Sequence, residues 1–335
     1  MDHEHNVAEN TATNLTTHKT IQYVPKKKRR FSKDSNALTL FAIPGFIWFL
    51  LFSYLPMFGL ILAFKDYKNY DGNFFTSLFK SEWTLDNFTF FFKTNKAWIV
   101  TRNTLIYNAF FITLNIVIPL LVAIMLHELL NKKAAKVYQT AMFLPYFLSW
   151  IVISYSIYAL LQIDNGLFNK ILTSIGLDRV NWYRTPRVWP PLFIFLNTWK
   201  SLGYNTVIYL AALAGIDRSL YEAASIDGAS KWQQMRFITI PSLKPVITII
   251  FILALGGIFR SDFGLFFHVP NSGGGGPVLQ NVAEVIDTYT YKLLMQSQNI
   301  KQSAAISLFQ SVVGFILITG ANKLVRIYDP ERSLY

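Results

Sequence analysis

The sequence predicts an all-α integral membrane protein with six transmembrane helices and both termini cytoplasmic. Three observations carry that prediction. Of 335 residues, 52% are hydrophobic and 16% aromatic, while only 15% are charged, where soluble domains carry about 25%. The charges that remain leave long runs free of Asp, Glu, Lys and Arg. Lys and Arg cluster in alternate flanks of those runs, as cytoplasmic loops do. A soluble sphere could not cover so much apolar surface, whereas lipid is a solvent for it.

The elements follow in chain order. Residues 1–36 read as a disordered basic cytoplasmic tail, since His3–Thr20 is rich in Asn, Thr and His and poor in apolar residues, too little to pay for ordering. Lys26–Arg30 stands directly before the first apolar run. It is therefore a topogenic anchor that meets anionic lipid rather than a nucleic-acid patch, and the net charge of +12 takes the same meaning. No cleavable signal peptide is expected, because the first apolar run is too long and too far in. A span needs about 20 predominantly apolar residues. Ser35–Phe64, Asn103–His127, Val137–Ile163 and Gln302–Asn322 meet that requirement. Val188–Ile216 is interrupted only by Lys200, and Pro245–Phe259 reaches the length by continuing past Arg260 and Asp262. Six spans result, with five or seven as neighbouring counts. The expected divisions are the first transmembrane helix at 37–64, an aromatic-rich extracellular loop at 65–104, a transmembrane core at 105–322 and a cytoplasmic C-terminus at 323–335. Lys132, Lys133 and Lys136, then Arg218, Lys231, Arg236 and Lys244, then Lys323, Arg326 and Arg332 mark the inner side.

Catalytic chemistry finds little support. The absence of Cys excludes a disulfide scaffold, a thiolate metal site and a Cys nucleophile. Three of the five His fall in the first 18 residues. There is no G-x-x-x-x-G-K-[ST], no H-E-x-x-H, no G-x-S-x-G and no EF-hand loop. Gly273–Gly276 lacks the Lys and Ser/Thr of a phosphate loop and runs into Pro277, so it reads as a flexible outer loop. No catalytic or metal-ligating residue is expected, and Lys200 is the only clearly intramembrane charge.

The informative stretch is Leu220–Pro245, too long for a tight turn between spans. Asp217 or Ser219 can cap a helix starting near Leu220. Ala223, Ala224, Ile226 and Ala229 recur as small or apolar residues at helical spacing, Gly228 would end or bend the helix, and Pro241 and Pro245 bracket the return to the membrane. Two readings stand on physics alone: a helix that docks into a partner's groove, and an interfacial amphipathic helix.

The same residues carry a resemblance. Glu222-Ala223-Ala224, then Gly228, Ile238 and Ile240-Pro241 resemble the EAA loop of ABC importer permeases, with Ile240 where Leu is usual. Ser261–Pro270 and Glu284–Tyr291 look like the outer-loop signature of its carbohydrate-uptake (maltose-type) family, in the polysaccharide and complex-oligosaccharide branch. The resemblance runs from about residue 37 to the C-terminus, and the Gly273–Gly276 insert departs from it. It implies the type I ABC importer permease fold in a bacterial cytoplasmic membrane, with an oligosaccharide as cargo. It also implies a second permease subunit, two ATP-binding subunits that hold ATP and Mg, and an extracellular solute-binding lipoprotein. Glu222, Ala223, Ala224, Gly228, Ile238 and Pro241, within the loop at 217–245, would couple to the ATPase. Sugar contacts are expected on the flanking helices, at Asn197, Trp199, Lys200, Tyr204, Asn205, Arg260, Asp262 and Phe263. Trp199 and Tyr204 also read as packing or interface-belt residues, and Lys200 as snorkelling or pairing with Asp262. The loop at 65–104, with eleven aromatics, either braces the binding protein or lies on the membrane surface. An ion-coupled carrier would show inverted repeats and midplane carboxylates, and a membrane glycan enzyme would show clustered carboxylates or a metal motif.

Overall fold

The computed structural model describes residues 33–68, 70 and 72–329. The basic tail up to residue 32 and the last six residues lie outside them. The chain divides into two units, Met1–Met57 and Phe58–Tyr335. In the first, α1 (Lys33–Phe49) contains Pro44 and passes into a π turn, Leu50–Tyr54, a single-turn widening of the kind found inside α-helices. A 3₁₀ stretch, Leu55–Phe64, completes the apolar segment Leu38–Phe64.

The second unit continues with α2 (Phe74–Lys80) and α3 (Asp86–Lys93), and with α4 (Asn95–Glu128), which contains Pro119. There follow α5 (Lys132–Phe143), a 3₁₀ turn Leu144–Phe147, α6 (Trp150–Leu161), α7 (Leu167–Ser174) and α8 (Trp189–Ala214). The chain then forms α9 (Arg218–Ile226), α10 (Lys231–Gln234), a π turn Met235–Thr239, and α11 (Ile240–Gly256). It ends with α12 (Phe263–Asn271), α13 (Gly276–Ala283), α14 (Ile286–Met295) and α15 (Ile300–Tyr328). The only β pairing among the described residues is an isolated bridge between Lys65 and Trp83.

Among the described residues, four helical segments are long and apolar enough to cross a membrane: Leu38–Phe64, Asn95–Glu128, Lys231–Gly256 and Ile300–Ile327. The run expected as one span at Val137–Ile163 is bent by 97° between Lys132–Phe147 and Trp150–Leu161, which makes a fifth if the pair is one broken span. The cause of the bend is local. Leu148 and Ser149 are extended (ψ 132° and 151°), and the Ser149 hydroxyl accepts from Val152 N–H to start α6 afresh. With 26 residues, α8 is about 39 Å long at 1.5 Å per residue, but Asn197, Lys200 and Asn205 lower its apolarity. The return helix starts at Lys231, well before the expected Pro245, so Pro241 and Pro245 lie inside it. Charges on its first turns had disguised it as loop.

The core has three parts. Near Ala214, the C-terminal end of α8, Ala123, Ile124, Tyr209, Leu213 and Leu243 pack α4, α8 and α11 together. At the other end, Tyr107, Phe111, Phe193 and Phe266 form an aromatic cluster joining α4, α8 and α12. Ala97, Val100, Ile286, Tyr289, Leu293 and Ile306 join α4, α14 and α15. The glycine run is a packed turn rather than a flexible loop. Gly275 is buried, a Cβ at Gly273 would stand 2.5 Å from the Tyr183 ring, and Tyr183 shares a 3.1 Å hydrogen bond with Ser272.

Candidate functional site

The loop between α8 and α11 is built by local rules. The Asp217 carboxylate accepts from Ser219 N–H at 2.9 Å and caps α9; this bond holds its carboxyl below the ordinary carboxylate range. At the other end Gly228 adopts φ +80°. Ala229 N–H donates to the Ala224 carbonyl (2.9 Å) and Gly228 N–H to that of Ser225 (3.2 Å), the paired bonds of a Schellman C-cap. Ser230 and Gln233 then form a capping box that starts α10.

The short helix is also braced from behind. Buried Gln234 donates to Ser225 Oγ (2.8 Å) and to the Ala229 carbonyl (3.4 Å). Tyr221 and buried Thr239 share a 2.9 Å hydroxyl bond, and exposed Lys231 pairs with Glu128 at the end of α4 (3.2 Å). This leaves Glu222 and Ala223 exposed, Ala224 half-buried, and Ile226 86% exposed. Ile238 and Pro241 are half-buried at the start of the return helix. The sequence reading missed Gln234 and Thr239, which tie α9 to that helix. Neither stands out in the sequence, because the polar and charged residues around them, Lys231, Gln233 and Arg236, read as loop.

The eight expected pathway residues divide between framework and surface. Asn197 accepts from Asn115 Nδ2 at 2.9 Å, and Asn205 donates to the Asn115 carbonyl at 3.4 Å, so both knit α8 to α4. Tyr204 is exposed and stacks on Tyr146 (4.8 Å, 10° between planes); Trp199, on the same helix, is 37% exposed. Lys200 does not pair with Asp262. Its ammonium donates to the carbonyls of Pro145 (3.4 Å), Tyr146 (2.9 Å) and Leu148 (2.5 Å) at the bend. Asp262 instead accepts the Trp150 indole N–H at 2.7 Å and caps α12 through Leu265 N–H.

The second interruption lies between α11 and α12. Asn108 of α4 donates to the carbonyls of Ile258 and Arg260 (2.8 Å each). Gln310 of α15 donates to that of Phe259 (2.6 Å), and Asp287 accepts Ser261 N–H (2.7 Å). Exposed Arg260 reaches Ser311 Oγ at 3.3 Å. Phe263 stacks on Phe267 and meets Tyr291. Tyr146, Trp150, Asn108 and Gln310 were not anticipated, although Asn and Gln in apolar runs are a usable sign of inter-helix bonding. No group of three or more His, Asp or Glu able to hold a metal occurs among the described residues.

Residues 115–332, a stretch that contains both interruptions and the braced loop, match the model of the binding-protein-dependent transport system inner membrane component family. The chain belongs to that family. It is a permease component of the inner membrane. It is 33% identical over 309 residues to the polygalacturonan/rhamnogalacturonan transport system permease protein YteP of Bacillus subtilis (strain 168), covering 91% of this chain and 93% of that protein. It is likewise 33% identical over 318 residues to protein LplB of the same organism, covering 95% of each. Among solved structures, a bacterial alginate ABC transporter, in complex with its alginate pentasaccharide-bound periplasmic protein, contains a chain that superposes with a TM-score of 0.77. That chain is 31% identical, and the match covers 88% of this permease and 96% of it.

Proposed function

We propose that this permease is half of the translocation pathway of an ATP-driven oligosaccharide importer, and that α9 couples it to a cytoplasmic ATPase. In this reading six helices cross the membrane, the bent pair α5–α6 counting as one and α8 as another, with both termini cytoplasmic. A second permease subunit completes the pathway. Two ATPase subunits hold ATP and Mg, and an extracellular solute-binding lipoprotein delivers the sugar. The observation that carries the coupling role is that α9 is fixed at both ends and braced by Gln234 and Thr239, yet presents Glu222, Ala223 and Ile226 outward. A rigid small-residue face with an apolar knob fits a groove in a partner. Pushed there, it moves α8 and α11 as levers.

An acidic or otherwise large oligosaccharide is the cargo best supported. YteP is named for polygalacturonan and rhamnogalacturonan, and a second matching structure is of an importer of the acidic polysaccharide alginate. Exposed Tyr204 and Arg260 offer an aromatic face and a cation. The ion-coupled carrier and the glycan enzyme lose their ground with the family membership. The test is ATPase activity of the co-purified assembly in lipid. Glu222→Ala is expected to weaken or uncouple it, and Tyr204→Ala to abolish sugar uptake with basal ATPase intact. If no ATPase co-purifies and Glu222→Ala transports normally, the coupling role is wrong.

A further inference from the structure

We infer that Lys200 is a positioning residue that sets the bend between α5 and α6, and not a ligand for the sugar. This rests on the proposed transport function only for its transport readout. At a helix end the last carbonyls have no intrahelical partner, and in a bilayer no water is at hand to satisfy them. The chain breaks at Leu148 and Ser149, and the carbonyls of Tyr146, Leu148 and Pro145, the last of which also accepts Leu148 N–H at 3.2 Å, converge on the Lys200 ammonium. An ammonium has three protons and no acceptor, so three carbonyls saturate it. The aromatic faces of Tyr146 (5.8 Å) and Trp150 (5.4 Å) flank it on either side of the break. A cation at a helix C-terminus also meets the negative end of the helix dipole.

The consequence reaches the surface that lines the path. The bend holds Tyr146 flat against Tyr204 and aims the Trp150 indole at Asp262, which caps α12. Close packing leaves the arrangement no slack: a Cβ at Gly264 would stand 2.7 Å from Trp150 Cγ, and one at Gly203 would stand 2.5 Å from Phe143 Cα. One ammonium thereby fixes α8, both halves of the broken helix, and the start of α12.

The sequence has no cysteine, which makes spin labelling clean. Cysteines replacing exposed Tyr138 on α5 and Tyr155 on α6 carry labels on the two sides of the bend. The assembly is reconstituted in lipid with partner subunits that lack reactive cysteines. Wild type is expected to give one narrow interlabel distance distribution. Lys200→Met is expected to broaden it and to lose sugar-stimulated ATPase while basal ATPase persists. A wild-type distribution in Lys200→Met overturns the inference, whether the sugar response is kept or lost; its loss with an unchanged bend would make Lys200 a sugar ligand. Should Lys200→Met fail to assemble, Lys200→Gln, with two N–H donors for three carbonyls, takes its place under the same criteria. The distance measurement needs no sugar, so it reads the bend even if the oligosaccharide assignment fails.

Discussion

Gly228→Ala tests whether backbone conformation or surface fit makes glycine necessary at the end of the proposed coupling helix. A Cβ at this position would meet nothing within 4 Å, so there is no steric cost inside the chain. The cost is in φ, which is +80° and lies in the region that an L side chain enters at roughly 1–2 kcal/mol. That penalty acts directly on the bonds from Gly228 N–H to Ser225 and from Ala229 N–H to Ala224. It corresponds to a factor of about 5–30 in the population of the capped state. Two assays read it: amide exchange of Ala229, which should accelerate by that factor, and sugar-stimulated ATPase of the lipid-reconstituted assembly. Asn is bulkier than Ala but enters the left-handed region readily, and Val, being β-branched, is the worst fit. The expected order of retained coupling is therefore Gly, Asn, Ala, Val. If Ala couples better than Asn, side-chain bulk against the partner decides, and the backbone argument fails.

Other perturbations separate local from long-range causes. Asp217→Ala should speed exchange of Ser219 and Leu220 amides, while Asp217→Asn, an equal N-cap, should match wild type around neutral pH. Because the Asp217 carboxyl is held below its ordinary value of 3.8, the stabilisation it adds is full above that value. It fades only as pH falls through the lowered pKa, so the wild-type exchange rate at these amides should show no cap-dependent change between about pH 6 and 8. Gly264→Ala drives a methyl into the Trp150 ring and should cost about 1–3 kcal/mol as overpacking, read as a lower melting temperature with altered Trp fluorescence. Glu284 is 3% exposed and joins Lys96 to Lys292, α4 to α14. Glu284→Gln should cost about 3 kcal/mol, the low end for a broken buried pair, because both ammoniums keep some access to solvent; unchanged protease resistance of the 276–295 segment would refute this.

What the sequence made legible was what is local or cumulative. Charge-free runs located the apolar segments, because bilayer thickness imposes a length on them. The helix start, capped by Asp217 or Ser219 and in the structure by Asp217, and the turn at Gly228 could be read directly, since each depends on neighbours within a few residues. The break at Leu148–Ser149 was not legible, because a run with no charges looks the same bent or straight. Its stabiliser, Lys200, stands 52 residues away from Leu148. The same holds for Asn108, which reaches Arg260 across 152 positions. The apolar turns of Lys231–Gly256 hid in the opposite way: Lys231, Arg236 and Lys244 made a helix resemble a loop, although on one continuous helix such charges can all lie outside the lipid or on one face.

The two interruptions share a design that bears on the proposed mechanism. A break in an apolar helix exposes carbonyls that lipid cannot satisfy, and each break here is satisfied by a side chain from a different helix: Lys200 of α8 for the first, Asn108 of α4 and Gln310 of α15 for the second. The interruptions therefore exist only while those helices hold their register. On the proposed coupling, α9 is the link between α8 and the helix that becomes α11, and these are the helices that bear Lys200 and end at the second break. From Lys200 to Ala214 the arm is about 21 Å at 1.5 Å per residue, and from Lys231 to Gly256, through the π turn Met235–Thr239, it is about 38 Å. A small displacement of α9 thus acts on both breaks at once, through carbonyl bonds that are either made or lost. Packed elements of this kind move between discrete arrangements and do not deform continuously, which is what an importer needs to expose its pathway to one side of the membrane at a time.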